Sequence, residues 1–341
     1  MSNEPLTAAK PNSMPSDARI FIAGHNGMVG SAIVRKLQAE GYTNLLTRRS
    51  AELDLRNQTA VQQFFSEQQP EFVFLAAARV GGIIANSTRK GEFIYDNLMI
   101  QNNVIHTAYT SGVKRLLFLG STCIYPQLSP QPIKEEYLLT GALEPTNDAY
   151  AIAKIAGIAM CRSYNEQFGT SFLSVMPNNL YGPNDNFDLT GSHVLPALIR
   201  KFHEAKESGE STVTIWGTGA PFREFMYVDD LSDACLFLMN QPEGVYSSLL
   251  EYTPAPALIN VGSGREISIA NLAGMIKDTI GFDGNIIFDN SKPDGTPRKL
   301  ADSSRLHALG WQHRIGLEDG VRAAYKWFVN NCEERRELHD E

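Results

Sequence analysis

The fold of this chain is decided by one stretch near its start, Arg19-Ile20-Phe21-Ile22-Ala23-Gly24-His25-Asn26-Gly27-Met28-Val29-Gly30. Residues 19–23 form a short apolar run typical of a buried parallel strand, and residues 31–37 continue with helical spacing. Glycines spaced three and three allow a tight turn, close approach of a phosphate to the main chain, and close packing of helix on strand. The amino end of the helix offers N–H groups to a pyrophosphate. This stretch predicts a dinucleotide-binding turn.

Two arginines follow the next predicted strand. That strand reads Asn44-Leu45-Leu46-Thr47, and Arg48-Arg49 comes directly after it. An acidic residue at this point commonly meets a bare ribose, whereas an arginine meets a 2′-phosphate. Either arginine alone could equally be part of a solvated loop. The pair favours NADP as the cofactor.

Short apolar strands alternate with helical stretches along the first half of the chain. Two more of these strands lie at 72–75 and 113–119, and the small residues Ala76 and Ala77 follow the first of them. This alternation predicts an α/β fold with a Rossmann-type doubly wound parallel sheet. Ligands of such sheets bind beyond the carboxyl ends of the strands, which is where Ser121 should lie.

The second half of the chain predicts a smaller α/β substrate-binding lobe. From Pro177 to Asn186 the sequence is dense in turn-forming residues, so a new lobe is expected to begin there. We assign 18–180 and 226–262 to the NADP-binding domain, and 181–225 and 263–330 to the lobe. The ends, 1–17 and 331–341, are expected to be a disordered tail and a frayed terminus.

The composition limits the partners of this 341-residue chain. Apolar residues make up 43% and charged residues 20%, as in an ordinary globular protein, and the formal net charge of -8 argues against nucleic acid or an anionic membrane. No apolar run approaches the ~20 residues that span a bilayer, and residues 1–17 lack the apolar core of a signal peptide. The four cysteines show no Cys-x-x-Cys spacing, so we expect no metal and a cytoplasmic location.

Tyr150-x-x-x-Lys154 is a candidate acid/base pair. Positions i and i+4 share one face of a helix, and a neighbouring cation lowers the pKa of a tyrosine towards a usable range. Alone the motif is weak, because about nine in ten such pairs are ordinary helix residues. Here it accompanies the glycine turn and Ser121, and the three features together predict a nucleotide-dependent oxidoreductase.

Taken together, these motifs resemble those of the extended short-chain dehydrogenases that act on nucleotide sugars. Longer strings are similar to the members of that family that epimerise and reduce GDP-4-keto-6-deoxy-D-mannose to GDP-L-fucose with NADPH. They lie at 75–83, 118–126, 144–147, 150–157, 192–194 and 292–299, and the resemblance runs from about residue 19 to 328. It implies a GDP-sugar substrate and a homodimer, which is this family's habit.

The resemblance also implies roles for individual residues. Ser121, Tyr150 and Lys154 would be the reductase set, with Cys123 as base and His193 as acid in the epimerisation. Cofactor contacts are expected at Gly24, Gly27, Met28, Val29, Gly30, Arg48, Arg49, Asp54, Leu55, Ala76, Ala77, Tyr150, Lys154, Pro177, Asn179 and Leu180. Substrate contacts are expected at Asn179, His193, Lys201, Trp216, Arg223 and Asp294. Asn26 replaces an arginine usual in the family near the 2′-phosphate.

Other interpretations of the same residues stay open at this point. Cys123 could be a packed thiol, His193 a helix-start residue, and Lys201 and Arg223 solvated cations. A dehydratase of the same family would need an Asp-Glu pair where this chain has Cys123-Ile124, and a 4-epimerase would need no such base. A non-catalytic NADP-sensing protein would have no reason to keep Ser121, Tyr150 and Lys154 together.

Overall fold

The computed structural model describes residues 14–189, 191–251, 257–292 and 294–337. The strands in this part of the chain are β1 Ile20–Ala23, β2 Leu45–Leu46, β3 Phe72–Leu75, β4 Arg115–Leu119, β5 Phe172–Pro177, β6 Asn179–Tyr181, β7 Thr212–Trp216, β8 Phe222–Tyr227, β9 Leu258–Val261, β10 Glu266–Ser268, β11 Asn285–Asp289 and β12 Arg298–Lys299. The helices are α1 Met28–Ala39, α2 Gln58–Gln68, α3 Ile83–Thr88, α4 Lys90–Thr110, α5 Asp148–Phe168, α6 Val194–Ser208, α7 Val228–Met239, α8 Glu243–Leu250, α9 Ile269–Ile280, α10 Ser304–Ala308 and α11 Leu317–Glu337.

A six-stranded sheet forms the centre of the first domain. Its order is β2-β1-β3-β4-β5-β9, and all neighbours pair in parallel. Its five longer strands are buried along their whole length because helices cover both faces. Helices α1, α7 and α8 contribute to the core on one face, and α2, α4 and α5 to the core on the other. The predicted doubly wound α/β fold is confirmed.

Helix α5 lies close against the central sheet and so fixes the position of Tyr150 and Lys154. It can approach because small residues face the sheet: a Cβ atom at Gly157 would lie 2.5 Å from the ring of Phe118 in β4. The helix ends at Gly169, whose φ of 66° is the left-handed conformation that closes many helices. The first turn of α5 therefore lies above the carboxyl end of β4.

The remaining strands build a smaller lobe. Strands β6, β10 and β12 all pair with β8, and β7 pairs with β11. Glu224 in β8 is fully buried and joins this lobe to the central sheet, since its carboxylate accepts hydrogen bonds from Ala301 N (2.9 Å), Gly264 N (2.6 Å) and the side chain of Asn178. Asn178 is the single residue between β5 and β6. The cleft between lobe and sheet is thus held by a shared buried carboxylate.

The chain ends differ from the sequence prediction. Residues 1–13 and 338–341 lie outside the described residues, but the predicted tail is wrong for 14–17, because Met14 is buried and its N–H donates to Asn240 Oδ1 at 2.9 Å. Likewise α11 continues to Glu337, where a frayed segment was predicted from residue 331. Among the described helices, none is long and apolar enough to cross a membrane.

Candidate active site

The glycine turn lies against the end of β3. A Cβ atom at Gly24, whose φ is 88°, would come within 2.7 Å of Ala77 N, and one at Gly30 would come within 2.1 Å of Gly24 O. Only glycine fits at these two positions. Gly27 differs, because a Cβ atom there would meet one neighbour at an ordinary 3.5 Å. A Cβ atom at Gly27 would therefore have room, while Gly24 lies directly against Ala76 and Ala77.

The amino end of α1 opens into that space. Gly27 precedes the helix and supplies no side-chain cap, and no acidic residue lies in the first turn. In the described part of the chain, the N–H groups of Met28, Val29 and Gly30 have no main-chain partner. Free N–H groups at a helix start bind anionic phosphate well. The residues present therefore fit a dinucleotide pyrophosphate.

The two arginines after β2 are not equivalent. Arg49 forms a salt bridge with Glu52 at 3.2 Å, and its N–H also donates to that carboxylate at 2.8 Å. Arg48 donates to Thr47 O at 2.8 Å and lies 5.4 Å from the ring centroid of Phe64. It forms no salt bridge with any described residue. Arg48 is therefore the freer cation for a 2′-phosphate.

Other predicted cofactor residues have polar groups engaged by protein. Asp54 pairs with Arg56 at 3.0 Å, and Leu55 O accepts from Asn103 Nδ2 at 2.9 Å. Asn179 Nδ2 donates to Glu224 O at 2.7 Å. Pro177 ends β5 and Leu180 lies in β6, at the carboxyl edge of the central sheet. A cofactor would meet this group through main-chain and apolar atoms.

Ser121, Tyr150 and Lys154 converge at the end of β4. Ser121 follows the strand after Gly120, and its hydroxyl lies close enough to the phenol of Tyr150 to lower its pKa. Lys154 is 2% exposed, and its Nζ donates to Leu119 O at 2.7 Å. The same Nζ lies 5.8 Å from the ring centroid of Tyr150. The structure therefore brings the predicted reductase set into one place.

The predicted effect of Lys154 on the pKa of Tyr150 stays a prediction, and the ammonium of Lys154 has a main-chain partner in this structure. Burial raises the pKa of Tyr150, negative charge at the nearby Cys123 raises it further, and the Ser121 hydroxyl lowers it in part. Burial also lowers the pKa of Lys154 to about 7. The ammonium points at the Leu119 carbonyl rather than at the phenol oxygen. The side chain of Ser121 is a group that lowers the pKa of the phenol in this structure.

Cys123 lies in the turn of 3-10 helix, Thr122–Ile124, that follows Ser121. Its half-buried sulfur accepts hydrogen bonds from Asn147 Nδ2 at 3.4 Å and from Lys299 Nζ at 3.6 Å. His193 directly precedes α6 and is exposed. The surrounding protein lowers the pKa of His193, and the Lys299 charge lowers it further. Lys299 thus interacts with both members of the predicted epimerase pair.

Asn147 and Lys299 are the site residues that sequence reasoning missed. Asn147 carries a usable signal, because it precedes α5 directly and stands three residues before Tyr150, so both face the same side. Lys299 carries none, since 176 residues separate it from Cys123 and only the pairing of β12 with β8 brings it to the cleft.

The four other predicted substrate residues gather at the outer end of the lobe. Trp216 is 53% exposed, and the Nζ atoms of Lys201 and Lys292 each lie 5.7 Å from its ring centroid. Asp294 accepts from Thr218 N and Thr218 Oγ1, both at 2.7 Å. Asp294 also acts electrostatically on Arg223, whose pKa is lowered by burial. An exposed indole beside several cations fits a nucleoside diphosphate.

Three comparisons place this arrangement among known proteins. A model of the NAD dependent epimerase/dehydratase family matches residues 20–252. The chain is 56% identical to GDP-L-fucose synthase 1 of Arabidopsis thaliana over 314 residues, which are 92% of this chain and 94% of that protein. Its fold is similar to that of a GDP-6-OMe-4-keto-L-xylo-heptose reductase from C. jejuni, with a TM-score of 0.88, 41% identity and coverage of 94% and 100% of the two chains. It is also similar to a GDP-L-fucose synthetase from Naegleria fowleri bound to NADP, with a TM-score of 0.85, 32% identity and coverage of 96% and 97%.

Proposed function

Because this chain belongs to the NAD dependent epimerase/dehydratase family, and within it to the GDP-L-fucose synthases, we propose that it converts GDP-4-keto-6-deoxy-D-mannose to GDP-L-fucose with NADPH as the reductant. The observation that carries the proposal is the meeting of two chemical sets at the end of β4. Ser121 and Tyr150 suit carbonyl reduction, and the sulfur of Cys123 lies in the same turn as Ser121. A simple reductase has no need of that sulfur.

Epimerisation at C3 and C5 requires a base and an acid beside the sugar. The C4 ketone acidifies the hydrogens on both carbons, because either carbanion delocalises onto the same oxygen. Ser121 and Tyr150 donate hydrogen bonds to that oxygen and stabilise the enolate. Cys123 removes the proton as a thiolate; a cysteine thiol has a reference pKa of about 8.5, close enough to neutrality for this work. The same two donors, Ser121 and Tyr150, therefore support proton removal at both C3 and C5.

His193 returns a proton to the other face of the sugar. Its lowered pKa leaves a smaller protonated fraction at neutral pH but makes that fraction a stronger acid. It directly precedes α6, whose buried side chains belong to the core of the lobe, whereas Cys123 lies in the turn after β4 of the central sheet. A base and an acid from the two sides of the cleft are what inversion at carbon requires.

Reduction of C4 then uses the same oxygen-binding groups. NADPH, when bound by the glycine turn, supplies a hydride to C4. Tyr150 donates its phenolic proton to the oxygen as negative charge develops there, while Ser121 keeps that oxygen in place. Lys154 anchors the helix that carries the phenol, through its bond to Leu119 O. The donors that stabilise the enolate first thus stabilise the alkoxide later.

The lobe supplies recognition of the nucleotide. Trp216 offers an exposed face for the base, and Lys201 and Arg223 supply positive charge for the diphosphate. The Asp294 carboxylate, which accepts hydrogen bonds from Thr218, would accept further ones from the base. Lys292 joins this group beside Trp216. These assignments direct the sugar towards Cys123 and Tyr150.

The decisive experiment incubates the enzyme with NADPH and GDP-4-keto-6-deoxy-D-mannose and identifies the product by NMR. We expect NADPH absorbance to fall and GDP-L-fucose to form. A product reduced at C4 but not inverted at C3 and C5 would make the enzyme a simple reductase. No turnover, together with turnover of a GDP-4-keto-heptose, would move the activity to the substrate class of the C. jejuni relative. If neither substrate led to NADPH oxidation, the result would favour a non-catalytic NADP-sensing protein.

We also propose that the enzyme is a cytoplasmic homodimer. The outer surface of α4 and α5, which we call the α4/α5 face, presents Tyr95, Met99 and Ile152, with Tyr95 60% and Ile152 48% exposed. Exposed apolar side chains on two packed helices suit burial against a second copy. Cys123, Cys161 and Cys235 are free thiols, which suits a reducing compartment.

A further inference from the structure

We propose that Lys299 is a positioning residue for the epimerisation, whose ammonium holds the Cys123 sulfur in its thiolate form. The inference deepens the proposed function and rests on the role given there to Cys123. Its basis is a contact in the folded protein, since Lys299 Nζ lies 3.6 Å from Cys123 Sγ. An ammonium this close to sulfur stabilises the thiolate over the thiol.

The main chain on both sides of Lys299 is held firmly. Lys299 lies in β12, where it is paired with Arg223 of β8. Leu300 N donates to Gln131 Oε1 at 2.8 Å, and Ala301 N donates to the buried Glu224 at 2.9 Å. Hydrogen bonds to both the sheet domain and the lobe therefore fix the main-chain position of Lys299. Its direction into the cleft follows from the fold.

The ammonium of Lys299 has the sulfur as its hydrogen-bond partner. It forms no salt bridge among the described residues, and its contact with Cys123 Sγ is its one hydrogen bond there. The second group on the sulfur, the Asn147 Nδ2 amide at 3.4 Å, is also a donor. A thiolate accepts from both, whereas a thiol is a weak acceptor with a proton of its own to place. Both contacts therefore favour the thiolate.

Four other titratable groups belong to the elements around this sulfur. They are Tyr150 on α5, Glu144 before α5, Arg298 on β12 and His193 before α6. Arg298 pairs with Glu266 at 2.8 Å, and Glu144 accepts from Gln127 at 2.7 Å. Glu144, Arg298 and Lys299 also line a cavity of about 50 Å³ beside Cys123, large enough for a water molecule. Among these groups, Lys299 is the cation in contact with sulfur.

The balance of protons explains why a cation is needed at this point. Proton removal from carbon by Cys123 converts thiolate to thiol, and proton return by His193 converts imidazolium to imidazole. The next turnover requires the thiol to give up its proton and the imidazole to regain one. Lys299 favours the first of these steps at Cys123, and its charge opposes the second at His193. Lys299 therefore sets the pH at which Cys123 is a thiolate while His193 is an imidazolium.

Alkylation of Cys123 by iodoacetamide tests this in the free enzyme, without substrate. Cys161 and Cys235 are buried with raised pKa values, and a Cys332→Ser background removes the remaining thiol. We expect Lys299→Met to move the pH midpoint of alkylation upwards and to slow the reaction about tenfold near neutral pH. Lys299→Arg should retain the original profile, because it keeps the charge. Lys114→Met, an exposed lysine paired with Glu71, is the control.

The outcomes separate this inference from the proposed function. An unchanged alkylation profile in folded Lys299→Met overturns the inference, even if the KM for the GDP-sugar rises, because the lysine would then serve the substrate alone. If Lys299→Met does not fold, Lys299→Gln is measured in the same way and decides the question. A shifted profile in an enzyme that shows no epimerisation would support Lys299 while the proposed function fails. A shifted profile with slower deuterium exchange at C3 and C5 supports both.

Discussion

Lys154 donates a 2.7 Å hydrogen bond from its buried ammonium to the carbonyl oxygen of Leu119, the last residue of β4. The same ammonium lies 4.7 Å from the ring centroid of Phe118. The bond ties α5 to the strand end that leads through Gly120 to Ser121, so the phenol one helical turn earlier is held above the serine. Burial, which makes this anchor rigid, is also what lowers the pKa of the amine to about 7.

That burial makes Lys154 a stability determinant whose effect depends on pH. Its pKa is about 7 in the folded protein and 10.5 in the reference state, so the unfolded chain binds more protons between these values. Wild-type stability should therefore rise with pH across this window, by about 1.4 kcal/mol for each unit of pKa difference that is titrated. Lys154→Met removes the contribution. In urea unfolding, the free energy of unfolding of the variant relative to that of the wild type should be highest near pH 7 and lowest near pH 10.

At every pH the variant also loses about 1 kcal/mol of stability, because Leu119 O no longer has its hydrogen-bond donor. Lys114→Met is the control, because Lys114 is an exposed lysine and the variant removes an amine without opening a buried site. If the stability difference between Lys154→Met and wild type did not vary over this window, the ammonium would not titrate as the structure indicates.

Tyr150→Phe should abolish reduction while nearly preserving cofactor binding. The ring makes most of the packing contacts, whereas the hydroxyl donates the proton to the C4 oxygen. Loss of a positioned general acid lowers the rate by about a hundredfold or more. NADPH oxidation with the GDP-sugar measures the rate, and NADPH fluorescence titration measures binding. Hydride transfer at the wild-type rate would remove Tyr150 from the mechanism.

Arg48→Ala should reduce the preference for NADPH over NADH more than Arg49→Ala does. A charge-assisted hydrogen bond to the 2′-phosphate contributes about 1.5–3 kcal/mol. Because Asn26 supplies no second cation, we expect the lower end, which is roughly tenfold in kcat/KM. Arg49→Ala is the matched control, since Arg49 is paired with Glu52. Equal kcat/KM for both cofactors in the wild type would contradict the assignment of NADP.

Cys123→Ser should separate the two reactions. Without the thiolate, deuterium from D2O should no longer enter C3 and C5, while Tyr150 and Lys154 still support reduction at C4. The variant should then slowly yield an unepimerised 6-deoxy sugar nucleotide, identified by NMR. Cys332→Ser, a change in α11, is the control. Deuterium incorporation at both carbons at the wild-type rate would show that Cys123 is only a packed thiol.

Tyr95→Glu should weaken the proposed dimer without unfolding the subunit. A carboxylate on the α4/α5 face would be buried unpaired against the second copy, which is costly. Sedimentation velocity should show the wild type as a dimer and the variant shifted towards monomer at the same concentration. Leu128→Glu is the control, because Leu128 is 84% exposed and lies off this face. A monomeric wild type would refute the dimer.

The sequence by itself determined the parts that depend on neighbouring residues. The glycine turn, the strand Phe72–Leu75 and the spacing of Tyr150 and Lys154 on one helix all follow from local periods and from the steric freedom of glycine. Resemblance over most of the chain then predicted Cys123 and His193 as a pair. Local patterns failed at the chain ends, because burial of Met14 depends on Tyr42 and Asn240, far away in sequence.

Only the tertiary structure decided which charges act on one another. The contact of Lys299 with Cys123 follows from the pairing of β12 with β8, and no local pattern contains it. The direction of the Lys154 ammonium and the shift of its pKa depend on how deeply α5 is buried against β4. Electrostatic effects depend on distance in space and on access of water, and the order of residues along the chain specifies neither.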